Sequence, residues 1–310
     1  MGIKGVFFMG ICLLLAAGCG KKETPVPEDD KQSVKDTVVL RIMSFNALVT
    51  HADDAGDLLW TRRGPSCVDM ILDVQPDIVG LQECRQAQFK FLLAALSEEY
   101  DGLSIPESKT NFGTCVLYRK ERFTCFGSGY RWFSSTPEVP SPAFPDICDD
   151  PTYRTFIWAD LRLRGTQKAV RIYSTHFPRP YEKDNAQARH QCAQAMVDHA
   201  KKECGEDVTV FMTGDMNCAL STEQGRYCLL PFTSWMKGAR ASLPDSKRDN
   251  WYSMNSFKEE APIAGGERSI DHIFARGAQP LSYCTVVEQY GEVRFCSDHY
   301  PIFSDMQIIY

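Results

Sequence analysis

Five short segments each place polar, chemically able side chains just past apolar, strand-like residues: Ser44-Phe45-Asn46, Leu81-Gln82-Glu83, Thr213-Gly214-Asp215-Met216-Asn217, Ile270-Asp271-His272 and Ser297-Asp298-His299. Such groups are costly inside a core, so their recurrence at the ends of buried strands marks a site. Carboxylates with histidines close by suit metal-dependent hydrolysis. Asp215 and Asn217, one residue apart, would point the same way from a strand end or tight turn. Standing alone, each has a plainer use: Glu83 as a helix cap, Asn46 in a turn, Gly214-Asp215 as a surface turn.

The elements that must hold these groups are legible from periodicity. Residues 38–45 are apolar except for Arg41 and Ser44 and end at Asn46, which predicts a strand covered on both faces. Helical spacing over 62–74 stops before Gln75-Pro76, a short buried strand leads to Glu83, and a second helix covers 86–96. Strands are expected at 114–118, 156–163 and 169–175, with Arg164-Gly165-Thr166 as the hairpin turn. Residues 185–202 form the clearest helix, 208–213 the next buried strand, and later strands cover 269–274, 283–287 and 302–308. Two long segments, 127–153 and 243–266, read as irregular. Many strands with few helices and no regular βαβ alternation predict two packed sheets with helices outside. No GxGxxG follows a strand and no P-loop is present.

At the N-terminus Lys4 precedes an apolar run over 5–17, shorter than the ~18 to 20 residues of a spanning helix. Ala16-Ala17-Gly18-Cys19 resembles a bacterial lipobox, so the expected organisation is a signal peptide over 1–18, lipidated Cys19, a charged tether over 19–37 and one domain over 38–310. The chain carries 34 Lys+Arg and 40 Asp+Glu, a net charge of −6. Loss of residues 1–18 would remove only Lys4. An acidic chain does not suit non-specific DNA binding. Thirteen cysteines less Cys12 and Cys19 leave eleven, with no CxxC spacing and no zinc-type cluster. Disulfides are open to an exported chain, but the spacing does not say which cysteines pair.

With Ser174-Thr175-His176-Phe177 added, the ordered set Asn46, Glu83, His176, Asp215-Met216-Asn217, Asp271 and Ser297-Asp298-His299 resembles the motifs of the endonuclease/exonuclease/phosphatase superfamily, over essentially all the chain from residue 38. The resemblance implies the DNase I-like fold, a four-layer αββα sandwich with two mainly antiparallel sheets face to face. It implies hydrolysis of a phosphate ester by direct attack of water, with Mg²⁺ at Glu83 beside Asn46, and Asp298 near the metal. Mn²⁺ or Ca²⁺ could replace or supplement Mg²⁺. His299 matches the family's catalytic histidine and Asp271 its carboxylate partner. Asp215 would orient or deprotonate water, Asn217 would donate to phosphate, and His176 would bind phosphate or assist the leaving group.

Arg154 is a further candidate for a phosphate contact, or else a surface salt bridge. Arg62 and Arg63 read as a solvated helix face, His272 as packed or surface, and His190 and His199 as members of an exposed helix. The substrate class stays open between nucleic acid and lipid or sugar phosphate. Trp132, Phe133 and Phe144 among prolines tilt it toward lipid. The rival from another class, a catalytically silent surface-binding protein, would normally have lost Glu83, Asp215, Asp271 or His299, and all four are present. A membrane-anchored monomer of the cell envelope is the expected state.

Overall fold

The computed structural model describes residues 36–106, 112–258 and 269–310. The expected leader, Cys19, nearly all of the tether and part of the 243–266 segment lie outside the described residues.

Thirteen strands follow in chain order among the described residues: β1 (Thr37–Asn46), β2 (Ile78–Gln82), β3 (Tyr100–Ser104), β4 (Thr114–Arg119), β5 (Phe123–Trp132), β6 (Thr155–Leu163), β7 (Ala169–His176), β8 (Thr209–Asp215), β9 (Lys237–Gly238), β10 (Asp271–Arg276), β11 (Ala278–Pro280), β12 (Cys284–Thr285) and β13 (Ile302–Ile309). The helices are α1 (Trp60–Val74), α2 (Gln86–Ala95), α3 (Ala186–Glu203), α4 (Glu223–Cys228) and α5 (Leu230–Trp235). One sheet runs β11-β13-β1-β2-β4-β3 with β12 against β13, the other β5-β6-β7-β8-β10-β9. Each sheet holds one parallel pair, β1 with β2 and β7 with β8, among antiparallel neighbours. Parallel neighbours need a long crossover, which α1 and α3 supply.

Alternation along the strands builds the layers. Leu40 and Ile42 of β1, Ile78 of β2, Ile172 of β7, Phe211 of β8 and Ile273 of β10 form the apolar layer between the sheets. The intervening Met43 and Phe45 pack with Cys67 and Ile71 of α1. On the other outer face, Tyr173, Met212 and Phe274 pack with Met196 of α3 and Phe232 of α5. The result is the expected four-layer sandwich. Each Leu- or Phe-sized side chain so buried contributes roughly 1.5–3 kcal/mol.

The sheets approach closely at Gly80, where an added Cβ would lie 1.9 Å from Thr213 Oγ1 and 3.2 Å from Ser174 Cβ. Helix α1 ends as the sequence predicts, with Gln75 in the left-handed region at φ 52° accepting the chain reversal before Pro76.

Three expectations need correction. Residues 127–132 continue β5 rather than opening an irregular segment, because β6 pairs with them along its length. Trp132 and Phe133 are buried against neighbouring aromatics, not presented to solvent, so they offer no lipid-facing surface. His199 is half-buried on α3, its ring 4.5 Å from that of Trp158 and its Nδ1 2.9 Å from the Tyr173 hydroxyl.

Candidate active site

The strand faces that meet between the sheets change character toward one end. β1 runs Leu40, Ile42, Ser44, Asn46; β7 runs Val170, Ile172, Ser174, His176; β8 runs Thr209, Phe211, Thr213, Asp215. Period-2 alternation puts each set on one face, so the apolar interior gives way to hydroxyls and then to ionisable groups at the carboxyl ends. Register brings those ends together: Asn46 pairs with Gln82, His176 with Asp215, and Asp215 with Asp271 at the start of antiparallel β10.

Asp215 Oδ2 is the meeting point. Asn46 Nδ2 donates to it at 3.1 Å. His176 Nε2 stands 3.3 Å away and His299 Nε2 3.7 Å. Asp271 Oδ2 lies 2.7 Å from His299 Nδ1. Asn46 also reaches Glu83 Oε1 at 3.4 Å, and Glu83 Oε2 accepts from the Val49 amide at 3.1 Å. Six of the expected residues, Asn46, Glu83, His176, Asp215, Asp271 and His299, thus form one connected group.

Burial acts on every charge here. It raises the Asp215 carboxyl, and the neighbouring Asp271 charge adds to that, bringing it to about 7 against the opposing pull of His299. Burial alone would lower His299, but Asp271 and Asp215 outweigh it and push the imidazole up to about 10. His176 moves the other way: burial, then the positive charges of Arg154 and His299, hold it well below its ordinary value. The site therefore holds a neutral histidine, a cationic one and a carboxylate able to exchange a proton near neutrality.

The remaining expected residues sit around this group. The Asn217 backbone amide donates to Asp215 Oδ1 at 3.0 Å and its Nδ2 to the Phe177 carbonyl at 3.0 Å. Asp298 is half-buried, its carboxylate receiving the Ser297 hydroxyl at 3.2 Å. Arg154 forms a buried ion pair with Asp150 at 3.0 Å, not a surface one. It lines a small cavity with His176 and Tyr153. His272 faces away from Asp271 and packs its Nε2 2.8 Å from the Cys218 carbonyl, where burial lowers its basicity.

Several residues that matter were not visible in the sequence. Arg63 is fully buried rather than solvated, and donates to the carbonyls of Leu58, Ala47, Cys296 and Leu48 at 2.8 to 3.2 Å. It ties the turn after Asn46 to the segment before His299. The Ser253 hydroxyl accepts from the amides of Ile270 and Asp271, and Asn255 donates to the Ser297 carbonyl. Glu83 and Asn217 adopt φ of 52° and 50°, a left-handed backbone uncommon outside glycine and held by the surrounding structure. No spacing signal announces any of these.

The donor set fits a divalent cation. Asp215, Asp271 and His299 offer ligand atoms all within 4.8 Å of one another. Asp271 Oδ1 is buried with no hydrogen-bond partner among the described residues. The Glu83 carboxylate is partly exposed and, with one amide on each oxygen, keeps lone pairs for an ion.

Residues 43–299 match the profile of the Endonuclease/Exonuclease/phosphatase family, and the chain belongs to that family. It is an enzyme of the phosphoric ester hydrolase class that the family defines. An endonuclease/exonuclease/phosphatase from Bacteroides vulgatus is 25% identical, over 87% of this chain and 98% of its own, at TM-score 0.72. A mannosyl-6-phosphatase from Bacteroides thetaiotaomicron is 24% identical over 86% of this chain and 99% of its own, at TM-score 0.71. D. rerio TDP2, complexed with single strand DNA product, is 18% identical over 86% and 98%, at TM-score 0.66. These last two likenesses are of fold.

Proposed function

We propose that the protein is an exported, Mg²⁺-dependent hydrolase of small phosphate esters that works by direct attack of water. One observation carries the reading: Asp215 Oδ2 stands within 3.1 to 3.7 Å of Asn46, His176 and His299, with Asp271 behind His299.

Glu83 and Asn46 would hold the ion, since Mg²⁺ prefers oxygen ligands and His299 is already engaged by Asp271, with Asp298 as the outer carboxylate. A Mg²⁺ ion held by these residues would supply neutralisation of charge on the phosphate oxygens. Asp215, raised toward neutrality, orients the attacking water and accepts its proton. The Asn217 amide has a second N–H to give to phosphate. His299, kept in one orientation by Asp271, presents a cationic Nε2–H to a phosphoryl oxygen, which favours stabilisation over proton abstraction as its role. Neutral His176 assists the leaving oxygen, and Arg154 lends positive charge to its side of the cleft. Mn²⁺ or Ca²⁺ would occupy the same oxygen ligands.

A sugar phosphate is favoured over nucleic acid as the substrate. The chain is acidic, and a phosphatase of a mannosyl 6-phosphate is among its structural relatives. Asp271 also borders a cavity of about 270 Å³ in which Arg240, Arg248, Asn250 and Ser269 offer polar groups on a mainly apolar wall that includes Leu220, Ala239 and Ile273. The lipobox-like Ala16-Ala17-Gly18-Cys19 supports a lipid anchor in the cell envelope.

The test is phosphate release from sugar monophosphates, including mannose 6-phosphate, alongside phosphodiesters, phospholipids and supercoiled plasmid, with and without Mg²⁺ and with His299→Ala in parallel. Turnover of sugar phosphates by the wild type alone is expected. Plasmid nicking without it would make the protein a nuclease, and a folded chain inert on all of them would be a surface-binding protein.

A further inference from the structure

Two guanidinium N–H groups and two backbone amides converge on one carboxylate beside the site. Asp150, in the stretch before β6, has a fully buried side chain. Its Oδ2 accepts from Arg154 Nη2 at 3.0 Å, from Arg154 Nε at 3.3 Å and from the Arg179 amide at 3.1 Å, and its Oδ1 accepts from the Thr152 amide at 3.0 Å. Asn185 closes the same junction. Its Oδ1 accepts from the Asp149 amide at 3.2 Å, and its Nδ2 donates to the Arg179 carbonyl at 2.8 Å.

The junction lies against His176. Antiparallel β6 and β7 pair Phe156 with Thr175, so the chain entering β6 at Arg154 and the chain leaving β7 at His176 share one end of the sheet. Arg154 commits Nε and Nη2 to Asp150 and leaves Nη1 with no hydrogen-bond partner among the described residues. With His176, Thr114 and Thr155 it lines a cavity of about 10 Å³, room for one oxygen-sized group.

We propose that Asp150 is a positioning residue for phosphate: it fixes the Arg154 guanidinium so that Nη1 meets an oxygen of the phosphate ester in this cavity, beside His176. This role rests on phosphate-ester hydrolysis at the Asp215 group. A guanidinium is rigid and planar, so its edges cannot be aimed independently, and seating the Nε–Nη2 edge on Asp150 sets where Nη1 points. A long side chain ordered before the ester arrives loses little further rotamer freedom on binding it. A buried charge pair by itself returns little net stability. A donor held in place in advance, by contrast, acts on the charge of the ester without reorganising.

The test compares wild type, Asp150→Asn, Arg154→Leu and the double variant, each as the full chain with Mg²⁺. The readouts are kcat/KM on the ester that the wild type hydrolyses best and calorimetric binding of inorganic phosphate. Asp150→Asn should lower kcat/KM about 10- to 100-fold, the scale of one charge-assisted hydrogen bond, and weaken phosphate binding about tenfold. Arg154→Leu should do the same, and the double variant should fall no further, because Asp150 acts through Arg154. The double variant buries no unpaired charge, so its comparison with Arg154→Leu still decides the matter if Asp150→Asn alone does not fold. A purely structural Asp150 would add its own loss to that of Arg154→Leu, or would lower the urea midpoint while kcat/KM and phosphate binding stay at wild-type values; either result overturns the proposal. A wild type that binds phosphate but cleaves no ester would overturn the hydrolytic reading and leave Asp150 to be judged by the binding arm alone, and a wild type that does neither overturns both.

Discussion

His299 Nδ1 and Asp271 Oδ2 stand 2.7 Å apart in a setting where both side chains are buried, 28 residues apart in the chain. The carboxylate is what keeps the imidazole cationic against burial. Asp271→Asn should therefore lower kcat about 10²- to 10³-fold with KM changed far less, because an amide holds the ring without favouring its charge. Steady-state kinetics on a refolding-competent variant checks this, and a loss under tenfold would remove Asp271 from the mechanism.

Arg63 joins four backbone carbonyls that flank Asn46 and His299. Truncation to Met would bury several acceptors without donors, at roughly 1–3 kcal/mol each. We expect Arg63→Met to lose at least about 3 kcal/mol in urea unfolding and most of the activity, with Arg63→Lys in between. Wild-type stability in the Met variant would mean that water reaches those carbonyls.

Gly80 lets the two sheets close against Thr213 and Ser174. Gly80→Ala should cost about 1–3 kcal/mol by overpacking. Combining it with Thr213→Ala should recover part of that loss. A double-mutant cycle measures the coupling, and strict additivity would show that the sheets simply move apart.

His199 supplies a pH signature away from the catalytic group. Burial, followed by the charge of Arg171, holds its basicity down to about 4 from 6.5. The folded state therefore binds fewer protons than the unfolded chain between those values. The stability this gives is fully present above about 6.5 and is lost as pH falls toward 4. Chemical denaturation across that range should show a shallower slope for His199→Gln, and equal slopes would mean that the ring titrates normally.

Mg²⁺ should raise the Tm of the wild type by mass action, by the equivalent of about 2.7 kcal/mol at a hundredfold excess over Kd. Glu83→Ala should abolish that shift, measured against the variant's own metal-free Tm. A Mg²⁺-dependent shift that survives this substitution would move the ion to the Asp215, Asp271 and His299 group.

Much of this architecture follows from local pattern. Apolar runs ending in Asn46, Glu83, His176 and Asp215 are readable because side-chain direction alternates with period two, so a polar residue closing such a run must stand at the end of a buried face. The helices behind the sheets are readable for the same kind of reason. β3 was missed because Tyr100-Asp101-Gly102-Leu103-Ser104 has a weak apolar pattern and owes its form to pairing with β4. Trp132 and Phe133 were misplaced because an aromatic beside prolines looks the same in sequence whether it packs inward or outward. The amino-acid sequence alone determined which polar residues close the buried strands and the layered class of the fold. Tertiary structure decided that Asp215 is the meeting point and that Arg63 is a buried latch. Those facts depend on which strands lie side by side and in what register, relations between residues far apart in the chain that no local periodicity encodes.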